Sequence, residues 1–507
     1  MSITRRLISG SVASWVQILI TLVVQVVLVP VFLVAWGKEQ YGIWLAIQSF
    51  ISLISMIDKG HQYYIYFEAL KMDESEKNKF NLFFGSSLRV GILSGLLQVL
   101  IIFGIIGFGF TKQLFGLTDT TTPEGLHFIN MSLLLQGLVW VLFGISGGLM
   151  GRILAVKGYY PRVAWWNVLG TTVTAVTPAI TVYLGGTLLE ATMSLFVGSM
   201  IFNIPFHIDM YRIIRKKDIS LGKFSSSIGF SNLFKSLAVS VKDVLENFRQ
   251  QGIRVVLSSI VGGAGLAVFS TTRTGANVLL QGLNTITNPM IPELMQFLRN
   301  KDQPRIDAAF NTIWALLVFM MAPGIVILQL IMEPIFIAWT KGQIEFDPLL
   351  FLLFSFTILI YTLSQPAIAL VTGNNLLKQQ LQMSVLSSVV LIVLMFVLIP
   401  YLDIVGAGIA LVIAELMSTY GYRLYAKRWI NEKGLTWPVK NFQYALLSMW
   451  SAFIFGLLII WLPQYKYLVL LGYLVLYAFI SIKYWATLPQ IARNKVQQLL
   501  GKFYRKK

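Results

Sequence analysis

The sequence predicts an all-α polytopic membrane protein of about fourteen transmembrane helices. Composition, the spacing of apolar runs and the distribution of basic residues carry that prediction. Of 507 residues, 56% are hydrophobic and 12% charged, and mean hydropathy is +0.71. Soluble domains carry about 25% charged residues. The chain has no cysteine, which removes disulfides, thiolate metal sites and cysteine nucleophiles together.

Apolar runs of about 20 residues fall near 10–35, 41–57, 84–110, 128–149, 163–184 and 189–208. A second set follows near 231–260, 265–291, 308–333, 349–371, 380–400 and 405–425, and a final pair near 443–462 and 466–487. The basic flank from Met1 to Arg6 precedes a run too long for a signal-peptide core, so it reads as a retained first span. With this numbering, loops on the N-terminal side hold Lys59, Lys71, Lys77 and Lys79, then Arg152, Lys157 and Arg162, then Arg212, Arg215, Lys216, Lys217 and Lys223. The same side holds Arg299, Lys301, Arg305, Lys378, Lys427, Arg428, Lys433, Lys440 and the basic tail. Opposite loops hold only Lys38, Lys112, Lys341 and Lys466. The positive-inside rule then places both termini in the cytoplasm. The net charge of +18 reads as orientation signal and attraction to anionic lipid heads, not as a nucleic-acid surface.

The span at 231–260 is anomalous because it carries Lys242, Asp243, Glu246, Arg249 and Arg254. At about 100° per residue, Lys235, Lys242, Glu246 and Arg249 share one face, while Leu237, Val241, Val244, Leu245 and Phe248 take the other. Charges in a membrane segment normally face a bundle interior or a wet cavity. Polar stripes also mark the first span (Ser14, Gln17, Thr21, Gln25), the second (Gln48, Ser52, Ser55, Lys59) and the eighth (Arg273, Asn277, Gln281, Asn284, Asn288). Interhelical hydrogen bonding accounts equally well for the uncharged stripes; the charged ones favour a water-filled cavity. Lys242, Arg249, Arg254 and Arg273 outnumber Asp243 and Glu246 there, which favours an anionic, phosphate-bearing substrate.

A repeat organises the first twelve spans. Gly37, Gly42 and Trp44 at the turn into the second span match Gly262, Ala267 and Phe269 at the turn into the eighth, and Glu68 matches Glu293. Gly158 resembles Gly373. Six spans per copy make the repeats parallel. The predicted division is 1–211 for the first lobe, 212–230 for a cytoplasmic basic linker, 231–428 for the second lobe, and 429–507 for two further helices and a basic tail.

Trp36-Gly37-Lys38-Glu39-Gln40-Tyr41-Gly42-Ile43-Trp44, Ile57-Asp58-Lys59-Gly60, Leu154-Ala155-Val156-Lys157-Gly158 and Val371-Thr372-Gly373-Asn374-Asn375 resemble the polysaccharide-transport branch of the multidrug/oligosaccharidyl-lipid/polysaccharide exporter superfamily, with its Wzx-type repeat-unit flippases. The resemblance implies two six-helix lobes forming a V-shaped cavity, a multi-pass bacterial inner-membrane location, and an undecaprenyl-pyrophosphate-linked oligosaccharide as substrate, as in O-antigen or capsule pathways. It also implies alternating access, with H+ or Na+ as coupling ion and no other cofactor. A polysaccharide polymerase and chain-length proteins are further expected partners. On that reading Arg249, Arg254, Arg273 and Lys242 hold the pyrophosphate, and Lys59 and Lys235 draw it in at the cytoplasmic mouth. Gln25, Gln48, Asn277, Gln281 and Asn284 contact glycan, and Asp243, Glu246 and Glu415 are candidate coupling carboxylates. A structural ion pair is the duller reading of each carboxylate, and the favoured one for Glu415.

No catalytic constellation or metal spacing stands out; His61, His127 and His207 are the only histidines. A polymerase or ligase would want a larger outer loop than the one around Thr111 to His127. A multidrug or cation exporter is the rival transporter reading, and it would want surplus carboxylate.

Overall fold

Helices satisfy their own backbone groups, so long apolar runs that meet lipid fold as helices. Every regular element among the described residues is helical. The computed structural model describes residues 3–70, 72, 76–117, 121–219, 224–247, 252–374, 376–490 and 493. Arg249 lies outside the described residues, as do the side chains of Lys242, Asp243, Glu246, Gln281 and Asn284.

The helices are α1 (Ile3–Ile54), α2 (Met56–Leu70), α3 (Lys77–Gly107), α4 (Thr111–Phe115), α5 (Pro123–Val139), α6 (Ile145–Leu154), α7 (Tyr160–Tyr183) and α8 (Leu188–Lys216). They continue with α9 (Ser226–Asn247), α10 (Ile253–Arg299), α11 (Gln303–Leu316), α12 (Ala322–Thr340), α13 (Pro348–Gly373), α14 (Leu377–Glu432), α15 (Val439–Trp461) and α16 (Lys466–Thr487). π-Helical turns at Trp140–Gly144 and Ala155–Tyr159 flank α6, and a third at Leu317–Met321 joins α11 to α12.

Ten helical runs among the described residues are long and apolar enough to cross a membrane. Three of them, at 55, 61 and 56 residues, far exceed the roughly 20 that one crossing needs. Each is broken by a non-helical residue: Gly37, Gly158 and Asp403. Continuous helical bonding across such bends accounts for three of the four spans by which the sequence count exceeds these runs; the fourth, at 231–260, includes residues outside those described. α10 bends in the same way at Gly262. Gly37 (φ 69°, ψ 179°) and Gly262 (φ 69°, ψ −172°) adopt one conformation, in the region that favours glycine. The residue offset that pairs them in the sequence therefore has a backbone counterpart. Gly158 has φ 86°, whereas Gly373 ends α13 without a positive φ, so that pair does not share its geometry.

The chain forms two compact units, Met1–Ser270 and Thr271–Lys507. In the first, α1 packs on α7, α5 and α7 pack on α8, and α9 lies against α2 and α3. Its core includes Phe83, Phe84, Leu149, Ile153, Phe206 and Met210. Glycines allow two close crossings. A Cβ on Gly42 would overlap the Gly263 carbonyl, and a Cβ on Gly60 would overlap the Ser240 backbone. In the second unit α13 is buried along nearly its whole length, mostly through apolar side chains with Ser355, Thr362, Ser364 and Gln365 among them, and packs against α11, α12, α14 and α15. α15 carries α16, whose Tyr484 hydroxyl donates to the Asn311 carbonyl at 2.9 Å.

Candidate functional site

A cavity of about 630 Å³ opens within the first unit. Helical periodicity builds its walls. From α7 come Asn167, Gly170, Thr171 and Thr174; from α8 come Thr192, Leu195, Phe196, Ser199, Phe202 and Asn203. Each set repeats at three or four residues, one stripe of a helix. α5 and the π-turn after it supply Leu135, Gln136, Val139, Trp140, Phe143 and Gly144, and α1 and α2 add Gln17, Ile51 and Lys59. α8 is fixed at its start by a capping box: the Glu190 carboxylate accepts from the Thr187 backbone N–H at 2.7 Å, and Thr187 Oγ1 accepts from the Glu190 N–H at 3.3 Å.

Amides, hydroxyls and aromatic rings dominate this lining, and Lys59 is the one charged side chain among its described residues. Several polar groups are locally committed. Thr174 Oγ1 donates to the Gly170 carbonyl at 2.8 Å, Thr192 Oγ1 to Ser132 Oγ at 2.9 Å, and Asn203 Nδ2 to the Ser199 carbonyl at 2.8 Å. Gln136 differs. It is 6% exposed, and its Nε2 has no hydrogen-bond partner among the described residues. A buried amide donor normally finds a partner, so this side chain is less committed than its neighbours.

Behind the Trp140 wall lies a buried carboxylate. Asp58 is 1% exposed and accepts three hydrogen bonds. Gln98 Nε2 (2.8 Å) and Trp140 Nε1 (2.7 Å) reach its Oδ1, and Gln62 Nε2 (2.6 Å) reaches its Oδ2. The donors come from α3, the first π-turn and α2, so one side chain ties three segments together. Extra backbone per turn makes π-segments frequent at functional positions, and here the π-turn sets the indole between carboxylate and cavity. Lys59 Nζ stands 5.3 Å from the centre of the Trp140 ring, within cation–π range. Next along α2, His61 is buried, with Nδ1 3.1 Å from Ser236 Oγ on α9 and Nε2 3.1 Å from the Ser87 carbonyl on α3.

The sequence-predicted residues divide. Lys59 lies in the cavity wall, as does Gln17 of the first polar stripe. Gln25 is exposed on α1 and Lys235 is exposed on α9. Gln48 is half-buried with Nε2 unpartnered among the described residues, and neither it nor Gln25 is among the described lining residues. Arg254 is half-buried in the first unit; Arg273 and Asn277 are half-buried in the second, where Glu415 is buried on α14. Arg249 and the side chains of Lys242, Asp243, Glu246, Gln281 and Asn284 lie outside what the structure describes. Sequence reasoning missed the α7 and α8 stripes. The signal was present as Asn167-Thr171-Thr174 and Thr192-Ser199-Asn203 at helical spacing, but uncharged residues of this kind also glue membrane helices.

No protein-family model matches the chain, and a comparison with curated proteins finds no match. Solved structures share the fold. The chain is similar to a lipid II flippase, MurJ, in an inward closed conformation, with TM-score 0.65 and 17% identity over 94% of this chain and 98% of that one. It is also similar to an inward-facing multidrug resistance MATE family transporter of the MOP superfamily, with TM-score 0.66 and 14% identity over 82% and 95% of the two chains. A MATE protein in a bent conformation gives TM-score 0.57 at 13% identity, over 85% and 96%.

Proposed function

We propose that this chain is a lipid-linked oligosaccharide flippase. It moves undecaprenyl-pyrophosphate-linked polysaccharide repeat units from the cytoplasmic to the outer leaflet by alternating access, with both termini in the cytoplasm. The observation that carries the reading is the cavity of the first unit, where amides and hydroxyls from Gln17, Gln136, Asn167, Thr171 and Asn203 stand beside Trp140, Phe143 and Phe196. Hydroxyl-rich sugars need hydrogen-bonding groups of both senses beside flat apolar surface. A polar head crossing about 30 Å of hydrocarbon also needs a sheltered path. Lys59 supplies a cation for the pyrophosphate or another anionic group of the head; Arg249, Arg254 and Lys242 in the first unit and Arg273 in the second are further candidate ligands for the pyrophosphate. Asp243, Glu246 and Glu415 are the carboxylates for a coupling proton or sodium ion.

The rival reading, export of cationic drugs, has the MATE-like fold in its favour. The described cavity lining contains no carboxylate to attract a cation. Vesicle assays separate the two: labelled polyprenyl-pyrophosphate glycan should become accessible on the opposite leaflet, while ethidium efflux should stay at the level of empty vesicles. Ethidium export without glycan movement would overturn the proposal. In the same assay, Lys59→Gln is expected to raise the half-saturating substrate concentration about tenfold or more, the scale of one lost hydrogen bond to a charged group. An unchanged value would remove Lys59 from the site.

A further inference from the structure

We propose that a groove on α14, in the second unit, is a binding site for one anionic glycerophospholipid. α14 turns back at Asp403, where φ is 48° and ψ is −140°, and its two arms then run side by side. A Cβ on Gly421 would overlap the Met383 sulfur, so the glycine lets the arms close, and the Tyr425 hydroxyl donates to Gln382 Oε1 across them at 2.9 Å. Beside this seam lies a groove of about 720 Å³. Its walls are apolar along Met383, Leu386, Met417, Tyr420 and Leu424, and Lys427, Arg428, Asn431 and Glu432 line one end, where the two cations outnumber the single carboxylate.

Two features choose the occupant. The apolar stretch follows a single helix face, with Met417, Tyr420, Leu424 and Arg428 three or four residues apart. From Met417 to Arg428 the face is about 16 Å long at 1.5 Å per residue, suited to one acyl chain. Tyr420 and Leu424 are 61% and 50% exposed, which suits side chains that meet lipid. The basic end is not consumed by pairing. Glu432 stands four residues beyond Arg428, where such ions often meet, yet neither Lys427, Arg428 nor Glu432 forms an ion pair among the described residues. A phosphate diester placed there would receive the guanidinium as a two-pronged donor and the ammonium as a point charge. Basic pockets between transmembrane helices on the cytoplasmic side bind anionic head groups in this way, and the distribution of basic residues puts this end of α14 on that side. The site belongs to the surrounding bilayer, not to the transported substrate.

The test is native mass spectrometry of the purified full chain titrated with phosphatidylglycerol, phosphatidylcholine or undecaprenyl phosphate. One tight phosphatidylglycerol is expected, with phosphatidylcholine bound only weakly. The double variant Lys427→Gln/Arg428→Gln should weaken that binding about thirtyfold, since each basic residue near a lipid surface contributes about 1 kcal/mol. Leu424→Trp, which fills the apolar wall and keeps both charges, should also remove the tight site. Equal binding of the two phospholipids, or full retention by either variant, would overturn the proposal. Displacement of phosphatidylglycerol by an equal concentration of undecaprenyl phosphate would overturn it too, by giving the groove to the carrier lipid.

Discussion

Asp58→Ala is expected to destabilise the first unit more than any other single polar truncation. The alanine would leave Gln62 Nε2, Gln98 Nε2 and Trp140 Nε1 pointing at a side chain that can accept nothing, in a place where Asp58 itself is 1% exposed. A buried donor left unsatisfied costs about 1–3 kcal/mol, and three of them share one centre. Their costs do not add fully, because the freed side chains can relax, so the expected loss is about 3–5 kcal/mol. Asp58→Asn separates charge from hydrogen bonding. Its carbonyl oxygen can keep Gln98 and Trp140, and its amide turns a donor toward Gln62, which must then rotate to offer oxygen. Gln62 Oε1 already accepts from Arg152 Nε, and Gln62 Nε2 also donates to the Gly144 carbonyl, each at 3.4 Å, so the exchange disturbs two long contacts, and the loss should be about 1–2 kcal/mol. Thermal unfolding in detergent, followed by tryptophan fluorescence, should rank wild type, then Asn, then Ala, with the large step at Ala. Equal melting of Ala and wild type would show that the three donors find other partners.

Gly42→Val is the second large effect, and its origin is steric. The glycine faces Gly263 so closely that an added Cβ would overlap that residue's carbonyl, and a Cβ on Gly263 would in turn overlap the Glu39 carbonyl. Both obstacles are backbone, so no side-chain rotation relieves them. Small residues allow such approaches between membrane helices. Overpacking costs about 1–3 kcal/mol where neighbours can shift, and a backbone-to-backbone clash belongs at or above the top of that range. Gly107, whose added Cβ would meet nothing within 4 Å, is the control: Gly107→Val should melt close to wild type. A Gly42→Val protein as stable as the Gly107→Val protein would mean that the two segments do not meet in this way in the membrane.

Much of the architecture was legible because the bilayer imposes it. Apolar runs had to become helices, and the offset that matched Gly37 to Gly262 returned as identical backbone bends. The match of Gly158 to Gly373 failed because glycine at a turn permits a positive φ without requiring one. The site was less legible. Charge drew attention to α9 and α10, whereas the cavity wall is built from uncharged residues of α5, α7 and α8. Lys59 stood out as a cation, but nothing local to Asp58 announced its role. Two of its three donors, Gln98 and Trp140, lie 40 and 82 residues away. Such a cluster is made by packing, and a helical wheel of one span cannot contain it. His61 shows the same limit, since its partners Ser87 and Ser236 lie on other helices, 26 and 175 residues away.

The claim that the first-unit cavity receives the glycan head is tested most directly by cysteine protection. The chain has no cysteine of its own, so Asn167→Cys, placed at an exposed lining position, would be the only thiol available to a water-soluble maleimide. Undecaprenyl-pyrophosphate-linked glycan should slow its labelling in reconstituted vesicles by at least tenfold, whereas undecaprenyl phosphate without sugar and ethidium should leave the rate unchanged. Equal labelling with and without the glycan-bearing lipid, or protection by ethidium alone, would contradict the account.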